Sequence, residues 1–284
     1  MPTSTFQIYD FDGFAQYIWA TNFSRKIQFL QNHHTWLPDY KEYNRPGTTP
    51  MMLLENMRRD HIQARGWNDI GQNLTTFPNG LIGLCRAMDI TPAGIYGANT
   101  GAICIENLGN FDKDKDVMTD EQNKLIIKLN ALLCLKFGLI PNDKQVVYHH
   151  WFDIKGKRFS DDDINSGKVL QQQLQKTCPG TNFFPTEGAS YAGDTITAAQ
   201  ENFYPKILVA MEELKKADHN HPSYSMKVTV NKLFIRTGKG TSFLAIGSLY
   251  LGNVVQVWDV QDGWAKVNQN PEQWVSLIYL INLS

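Results

Sequence analysis

The sequence has few cysteines, no excess of charge of either sign and no long apolar run. Four cysteines among 284 residues are too few for the dense disulfide framework of a small secreted domain. The formal net charge of -1 gives no overall attraction to nucleic acid or to an anionic membrane. Because no apolar run approaches the length that spans a bilayer, we expect neither nucleic-acid binding nor membrane insertion.

The first residues also lack a basic segment followed by an apolar stretch, so the sequence predicts no secretory signal peptide. Cys85, Cys104 and Cys134 lie in apolar runs, where a thiol usually serves as a small buried side chain. Cys178 differs because it lies in a Lys-Thr-Cys-Pro-Gly turn. This cysteine usage is typical of a protein made in a reducing cytosol.

Helix and strand patterns alternate over the first part of the chain. Apolar periodicity, capping residues and an Asn-Gly turn predict helices at 11–20, 49–63, 119–137 and 195–217, a hairpin around 77–80, and strands at 26–35, 101–106 and 144–150. Thr119 and Gln122 form a capping-box pattern, and Gly138 marks the end of the third helix. The alternation predicts a mixed α/β (α+β) fold with a central mixed β-sheet flanked by helices.

The composition changes after residue 216, where a polar, proline-containing linker begins. Short alternating segments separated by glycine-containing turns then predict strands near 226–230, 233–236, 243–250, 254–259, 263–267 and 273–280. No helix of normal length fits there, so this tail is predicted to be a small all-β barrel or sandwich. We expect one domain over residues 1–221 and a second over 222–284.

Two histidine doublets end apolar strands, at His33-His34 and at His149-His150. Adjacent strand residues point to opposite faces, so only one member of each doublet can face a given metal. Cys178 is the natural third donor, since two imidazoles and one thiolate leave a fourth zinc position for water. The residues alone also allow buried, hydrogen-bonded histidines with no metal.

Five sequence blocks, in order, resemble one known family. They are Gln31-Asn32-His33-His34-Thr35, 66–73 (GWNDIGQN), 99–106 (NTGAICIE), Val146-Val147-Tyr148-His149 and Lys176-Thr177-Cys178-Pro179-Gly180. From about residue 25 to 185 the chain resembles the N-acetylmuramoyl-L-alanine amidases, a family that includes phage lysins and is similar to the peptidoglycan recognition proteins. The resemblance implies Zn²⁺ bound by His33, His149 and Cys178, with His34 and His150 as neighbours that do not bind it. The doublets leave a one-residue ambiguity in this assignment.

The chain departs from many relatives at Gln72, where the family pattern has a catalytic tyrosine. The resemblance therefore implies Glu106 as the general base, with a solvated strand-end residue or an orienting group as the alternative. Lys176 matches a lysine of several relatives that would stabilise the oxyanion, and its alternative is an ordinary surface lysine.

The tail from 226 to 284 resembles a bacterial SH3-like domain, on the residues 228–230 (VTV), 233–242 (LFIRTGKGTS), 246–249 (IGSL), 263–267 (GWAKV) and Trp274-Val275. In lysins such modules bind the cell wall, and Trp264, Trp274 and Tyr279 offer flat rings for that contact. Alternatively, Trp264 and Trp274 fill the barrel core.

Together these resemblances imply an endolysin-like peptidoglycan hydrolase that cleaves the amide between N-acetylmuramic acid and L-alanine with a zinc-activated water. The expected partner is bacterial peptidoglycan, from a Gram-positive wall. The expected location is that of a phage-type lysin, cytoplasmic until released and then acting on the wall from outside. The alternative is a non-catalytic peptidoglycan-binding protein of the same fold.

Overall fold

The computed structural model describes residues 5–168, 177–185, 192–218, 224–269 and 271–282. The chain divides into two compact units, residues 1–211 and 212–284. The predicted boundary between residues 221 and 222 lies outside the described residues. Each unit has its own sheets and its own apolar core.

The first unit is built on one six-stranded sheet. Its strands are β1 (Gln7–Tyr9), β2 (Phe29–His34), β3 (Leu74–Thr76), β4 (Ile82–Leu84), β5 (Ala102–Asn107) and β6 (Val146–Tyr148). They lie in the order β1-β4-β3-β5-β2-β6. The pairs β3–β5, β5–β2 and β2–β6 are parallel, whereas β1–β4 and β4–β3 are antiparallel. The predicted mixed α/β architecture is therefore confirmed.

The longer helices of this unit lie where the sequence predicts helices. The helices are α1 (Phe11–Ala20), α2 (Tyr40–Tyr43), α3 (Pro50–Gln63), α4 (Asp120–Phe137), α5 (Asp161–Asn165), α6 (Ile196–Ala198) and α7 (Tyr204–Asp218). Two short helices, α2 and α5, were not predicted. The helix predicted as continuous over 195–217 contains a π-helical turn at Ala199–Phe203, and the strand predicted to end in the second doublet gives way to a 3₁₀ turn at His149–Trp151. None of the described helices has the length and apolar character needed to cross a membrane.

Helix α4 begins and ends as its sequence predicts, with one difference. The Thr119 hydroxyl accepts the Gln122 backbone N–H at 3.2 Å, and Gly138 ends the helix at φ 65°, a left-handed conformation that favours glycine. The Gln122 side chain does not return to the Thr119 amide as a capping box requires. It donates instead to the backbone oxygens of Thr76 and Leu108 at 3.2 and 2.9 Å, which attaches the first turn of α4 to the end of the sheet.

The two faces of the sheet are covered by different helices. Asn32 on β2 and Asn130 on α4 exchange side-chain hydrogen bonds of 2.9 and 3.2 Å, so α4 lies against the Asn32 face. On the other face, Leu54 of α3 lies close to Gly83 on β4, where an added Cβ would be 2.9 Å from its Cδ1 atom. Because strand residues alternate between faces, His33 belongs to the face opposite Asn32.

The second unit contains strands and one 3₁₀ turn after the end of α7. Its strands are β7 (Tyr224–Val228), β8 (Lys232–Arg236), β9 (Ala245–Tyr250), β10 (Val254–Val257), β11 (Asp259–Gln261), β12 (Trp264–Gln269), β13 (Glu272–Ser276) and β14 (Leu280–Asn282). They form a three-stranded sheet, β10-β7-β14, and a five-stranded sheet, β11-β12-β13-β8-β9. The predicted all-β composition is present. Within residues 224–269 and 271–282, the two sheets do not form a closed SH3-like barrel, so that part of the prediction remains a resemblance.

The cap of α4 gives a direct test of this fold. The Thr119 hydroxyl also donates to the Pro78 carbonyl oxygen at 2.6 Å, so Thr119→Ala removes two interactions. We expect it to lower the free energy of unfolding by about 1–2 kcal/mol. Thr119→Ser keeps the hydroxyl and should retain most of the stability. Urea denaturation followed by far-ultraviolet circular dichroism measures both, and equal losses in the two variants would contradict this role of the hydroxyl.

Candidate metal centre

The ends of three parallel strands bring several polar groups of the first unit together. His33 on β2 pairs in register with Glu106 on β5, so both side chains lie on the same face. Asn32 on β2 pairs with Tyr148 on β6, which places His149 directly after the end of that neighbouring strand. Parallel pairing thus places two imidazoles and one carboxylate together at the carboxyl ends of three neighbouring strands.

His33, His149 and Cys178 form a compact cluster of donor atoms. One ring nitrogen of each histidine and the Cys178 sulfur all lie within 4.8 Å of one another. The Cys178 Sγ atom is 3.6 Å from His33 Nδ1, and the two imidazole centroids are 4.9 Å apart. His33 and Cys178 are buried and His149 is half-buried. Two imidazoles and a thiol are a donor set that suits zinc, which binds nitrogen and sulfur ligands in compact sites.

The second histidine of each doublet lies elsewhere. His34 points to the face opposite His33, and its Nδ1 accepts the backbone N–H of Phe111 at 3.1 Å. The His150 Nε2 is 3.5 Å from Asp194 Oδ2, and both side chains are buried. Burial raises the pKa of the Asp194 carboxyl, while the nearby His150 acts in the opposite direction. Neither His34 nor His150 belongs to the donor cluster among the described residues.

The loop that carries Cys178 is attached to the domain at two points. On one side, the backbone N–H of His150 donates to the Cys178 carbonyl oxygen at 2.8 Å. On the other, the Asp112 carboxylate accepts the Thr177 hydroxyl and the Thr181 backbone N–H. An added Cβ at Gly180 would lie 2.4 Å from the Phe111 carbonyl oxygen, so only glycine allows the two loops to approach this closely.

Cys104 and Glu106 lie on β5, next to His33 of the neighbouring strand β2. Donor atoms of His33, Cys104 and Glu106 also lie within 4.8 Å of one another, so His33 belongs to two groups. Burial raises the pKa of the Cys104 thiol well above its ordinary value, which keeps the thiol protonated at neutral pH. The group with His149 and Cys178 offers two imidazoles and one thiol, the nitrogen and sulfur donors that zinc binds in compact sites, and is therefore the better metal site.

Gln72, at the position of the family's tyrosine, is held within the fold of the first unit. Gln72 is buried, and its side-chain amide donates to the Thr75 hydroxyl at 3.0 Å and contacts the Met57 sulfur at 3.8 Å. The amide is thus held by hydrogen bonds within the fold. Lys176 lies outside the described residues.

The three predicted wall-binding residues have different surroundings in the second unit. Trp264 is half-buried, and Trp274 is only 3% exposed, with the Lys266 ammonium 5.0 Å from its ring centroid. Tyr279 is 40% exposed and lies in the 3₁₀ turn before β14. Trp264 pairs with Ser276 and Lys266 with Trp274, so Trp264 and Trp274 lie on the same face of the sheet.

Sequence patterns gave no sign of the residues that hold the cysteine loop. Asp112 is 65 positions from Thr177, and Asp194 is far from His150 in the chain. Asp112 belongs to a run of alternating charges, 112–116, that is typical of a solvated loop. Only the three-dimensional proximity of the two loops distinguishes it.

The attachment through Asp112 should control access to the cysteine thiol. Asp112→Ala removes two hydrogen bonds to a charged acceptor, so local opening of the loop should increase about tenfold or more. Alkylation of Cys178 by iodoacetamide in the metal-free protein, followed by mass spectrometry, measures this opening. Asp112→Asn keeps an acceptor oxygen and serves as the matched control. Equal labelling rates in Asp112→Ala and the unaltered protein would refute the attachment.

One family model matches the part of the chain that carries this cluster. The family model described as N-acetylmuramoyl-L-alanine amidase matches residues 23–181, which include His33, His149 and Cys178. A comparison with curated proteins gave no match.

Several solved structures are similar to this chain. Drosophila PGRP-LB has 18% sequence identity and a TM-score of 0.42, with 61% of this chain and 94% of that chain covered. The N-acetylmuramoyl-L-alanine amidase LysC from Clostridium intestinale has 22% identity and a TM-score of 0.39, with 58% and 85% covered. Bumblebee PGRP-SA has 17% identity and a TM-score of 0.40, with 64% and 84% covered. Because the family model spans more than half of the sequence, the chain belongs to the N-acetylmuramoyl-L-alanine amidase family.

Proposed function

We propose that the protein is a zinc-dependent amidase that hydrolyses the bond between N-acetylmuramic acid and L-alanine in bacterial peptidoglycan. The observation that carries this proposal is the convergence of His33, His149 and Cys178 in a member of the amidase family. Three donors leave a fourth coordination position for water or substrate, which distinguishes a catalytic zinc site from a structural one.

In this proposal His33, His149 and Cys178 hold the zinc ion. When bound, zinc acts as a Lewis acid that polarises a carbonyl oxygen and makes water a nucleophile near neutral pH. The attached loop that carries Cys178 keeps the thiol next to the His33 imidazole, at the 3.6 Å separation given above. The buried setting of His33 and Cys178 limits competing water, which strengthens electrostatic interactions in the site.

Glu106 is the proposed general base. Its carboxylate lies beside His33 on the neighbouring strand and takes a proton from water as the oxygen attacks the lactyl carbonyl carbon. The C–N bond then breaks, and Glu106 returns the proton to the departing L-alanine nitrogen. Lys176, two residues before Cys178, is proposed to stabilise the charge on the carbonyl oxygen.

One observation favours a second candidate function, peptidoglycan binding without hydrolysis. Gln72 stands where the family pattern has a tyrosine, and its amide is held by Thr75 within the fold. An amide has no acidic proton to offer the reaction, so catalysis depends more heavily on Glu106. A protein that retains zinc and binds peptidoglycan but releases no L-alanine amino termini would be this second candidate.

Residues 226–284 are proposed to form an SH3-like module that holds the enzyme on a Gram-positive wall. The protein is then a phage-type lysin, cytoplasmic until released and active on the wall from outside. Support for the module comes from its all-β composition and its separate core, which includes Val228, Val257 and Val275. Attachment to an insoluble substrate raises the effective concentration of the catalytic unit.

The first doublet gives a matched test of the metal assignment. His33→Ala removes a zinc ligand. It should therefore weaken zinc binding by more than about 100-fold, the upper end of the loss that follows removal of a residue that only contacts a ligand. His34→Ala removes an imidazole from the opposite face and should retain zinc. Zinc content of the folded proteins, measured by atomic spectroscopy after dialysis, compares the two. Loss of zinc in His34→Ala with retention in His33→Ala would overturn the assignment.

Replacement of Glu106 separates metal binding from catalysis. Glu106→Gln keeps the shape and polarity of the side chain, so zinc should remain bound. The amide cannot accept a proton from water, so hydrolysis should slow. The rate of L-alanine amino-terminus release from purified walls should fall by about 10²–10⁴-fold. Full activity in this variant, with zinc retained, would show that another group is the base.

A further inference from the structure

One face of the five-stranded sheet carries aromatic and cationic side chains in alternation. On β8, Lys232, Phe234 and Arg236 share a face, because Leu233 between them is buried in the core. The Lys232 ammonium is 4.9 Å and the Arg236 guanidinium 5.7 Å from the centroid of the Phe234 ring. The Phe234 side chain is nevertheless 45% exposed, so the cations leave much of the ring open to a ligand.

Neighbouring strands continue the same pattern. Tyr250 on β9 lies opposite Lys232, and Trp274 on β13 lies opposite Arg236. Lys266 on β12 lies opposite Trp274, with its ammonium 5.0 Å from the ring centroid. Directly opposed residues of antiparallel strands project from the same face. We define the cation–aromatic face by six residues, Lys232, Phe234, Arg236, Tyr250, Lys266 and Trp274.

Two of the three cations of this face, Lys232 and Arg236, are not paired with a carboxylate among the described residues. Lys266 forms an ion pair with Glu272 at 2.7 Å. Within the described part of the chain, no carboxylate lies within ion-pair distance of Lys232 or Arg236. Arg236 donates to the backbone oxygens of Thr241 and Phe243. The face is therefore positively charged, in a chain whose formal net charge is -1.

We propose that the cation–aromatic face binds an anionic, phosphodiester-linked polymer of the bacterial wall, a partner that rests on the wall location given by the proposed function. Lysine and arginine bind phosphate groups, and the exposed rings of Phe234 and Tyr250 pack against the C–H surfaces of sugar or polyol units. A neutral glycan would need the rings but not the two uncompensated cations. Nucleic acid has the same phosphodiester linkage, so the test below compares the two polymers directly.

This assignment changes which side chains of the second unit contact the wall. Phe234 and Tyr250, at 45% and 56% exposure, supply the open rings. Trp274 is buried beneath Lys239 and Lys266, with both ammonium groups within 5.8 Å of its ring centroid, and so supports the face from below. Tyr279 is not part of the face.

The test measures the fraction of the full chain that sediments with purified Gram-positive walls. The chain carries Glu106→Gln and the assay is run in the cold, so that the walls are not digested. Walls are used before and after hydrofluoric acid treatment, which removes phosphodiester-linked polymers. We expect binding to fall at least about fivefold after the treatment and to weaken as the salt concentration rises. Purified polyglycerol phosphate should compete for binding.

Two substitutions locate the binding on this face. Phe234→Ala should weaken binding to untreated walls about fivefold or more, as expected of an exposed aromatic anchor. Lys232→Gln should weaken it about two- to fivefold. Arg236 stays unaltered because it also holds the loop at 241–243. Lys227→Gln removes one exposed cation from the other sheet and is the matched control, with wall binding expected to remain unchanged.

Several results would overturn the proposal. Equal binding to treated and untreated walls would identify bare peptidoglycan as the partner. Equal losses in Lys232→Gln and Lys227→Gln would show a general charge effect, and binding to single-stranded DNA as strong as to the wall would show a general polyanion surface. Thermal unfolding of each variant verifies its fold. Amidase activity, measured separately on a soluble muropeptide, shows whether the proposed function fails independently of this surface.

Discussion

The parallel pairing of β2 with β5 and β6 is the constraint on which the site depends. It places His33 in register with Glu106 and brings His149 to the end of the neighbouring strand, from segments that are far apart in the chain. The register also fixes which histidine of the first doublet faces the cluster. A shift by one residue would turn His33 to the α4 face and bring His34 to the site. Hydrogen bonds between Asn32 and Asn130 oppose such a shift, because the shift would leave buried amides without partners.

The third donor is held in a different way. Cys178 lies on no strand, and its loop is positioned by the Asp112 carboxylate on one side and the His150 backbone on the other. His34 contributes to the same arrangement, since it accepts the amide of Phe111, next to Asp112. The second member of each doublet therefore supports the loops around the cluster, while the first member belongs to it.

Much of this arrangement could be predicted from the sequence. Strand alternation required that the two members of the first doublet face opposite ways, and turn and cap residues located α3, α4 and the β3–β4 hairpin. The mixed sheet followed from the alternation of elements. The pairing order of the strands and the convergence of His149 with Cys178 required contacts across the fold, which no local pattern contains.

Other features were beyond local patterns for identifiable reasons. The Gln122 side chain had two possible partners, and the sheet-end carbonyl oxygens proved to be the ones it binds. The sequence allowed Trp274 to be either an exposed ring or a core residue, and the structure shows it buried, with the ammonium groups of Lys239 and Lys266 over its ring. Phe234 remains open because it lies between two cations on the outer side of its strand.

The central claim is that His33, His149 and Cys178 together form a zinc site. X-ray absorption at the zinc edge of the zinc-loaded full chain tests it most directly, because sulfur and nitrogen neighbours scatter differently. The account predicts one sulfur at about 2.3 Å and two imidazole nitrogens at about 2.0–2.1 Å, with one further light-atom ligand. A spectrum with no sulfur neighbour, or with only oxygen ligands, would contradict it.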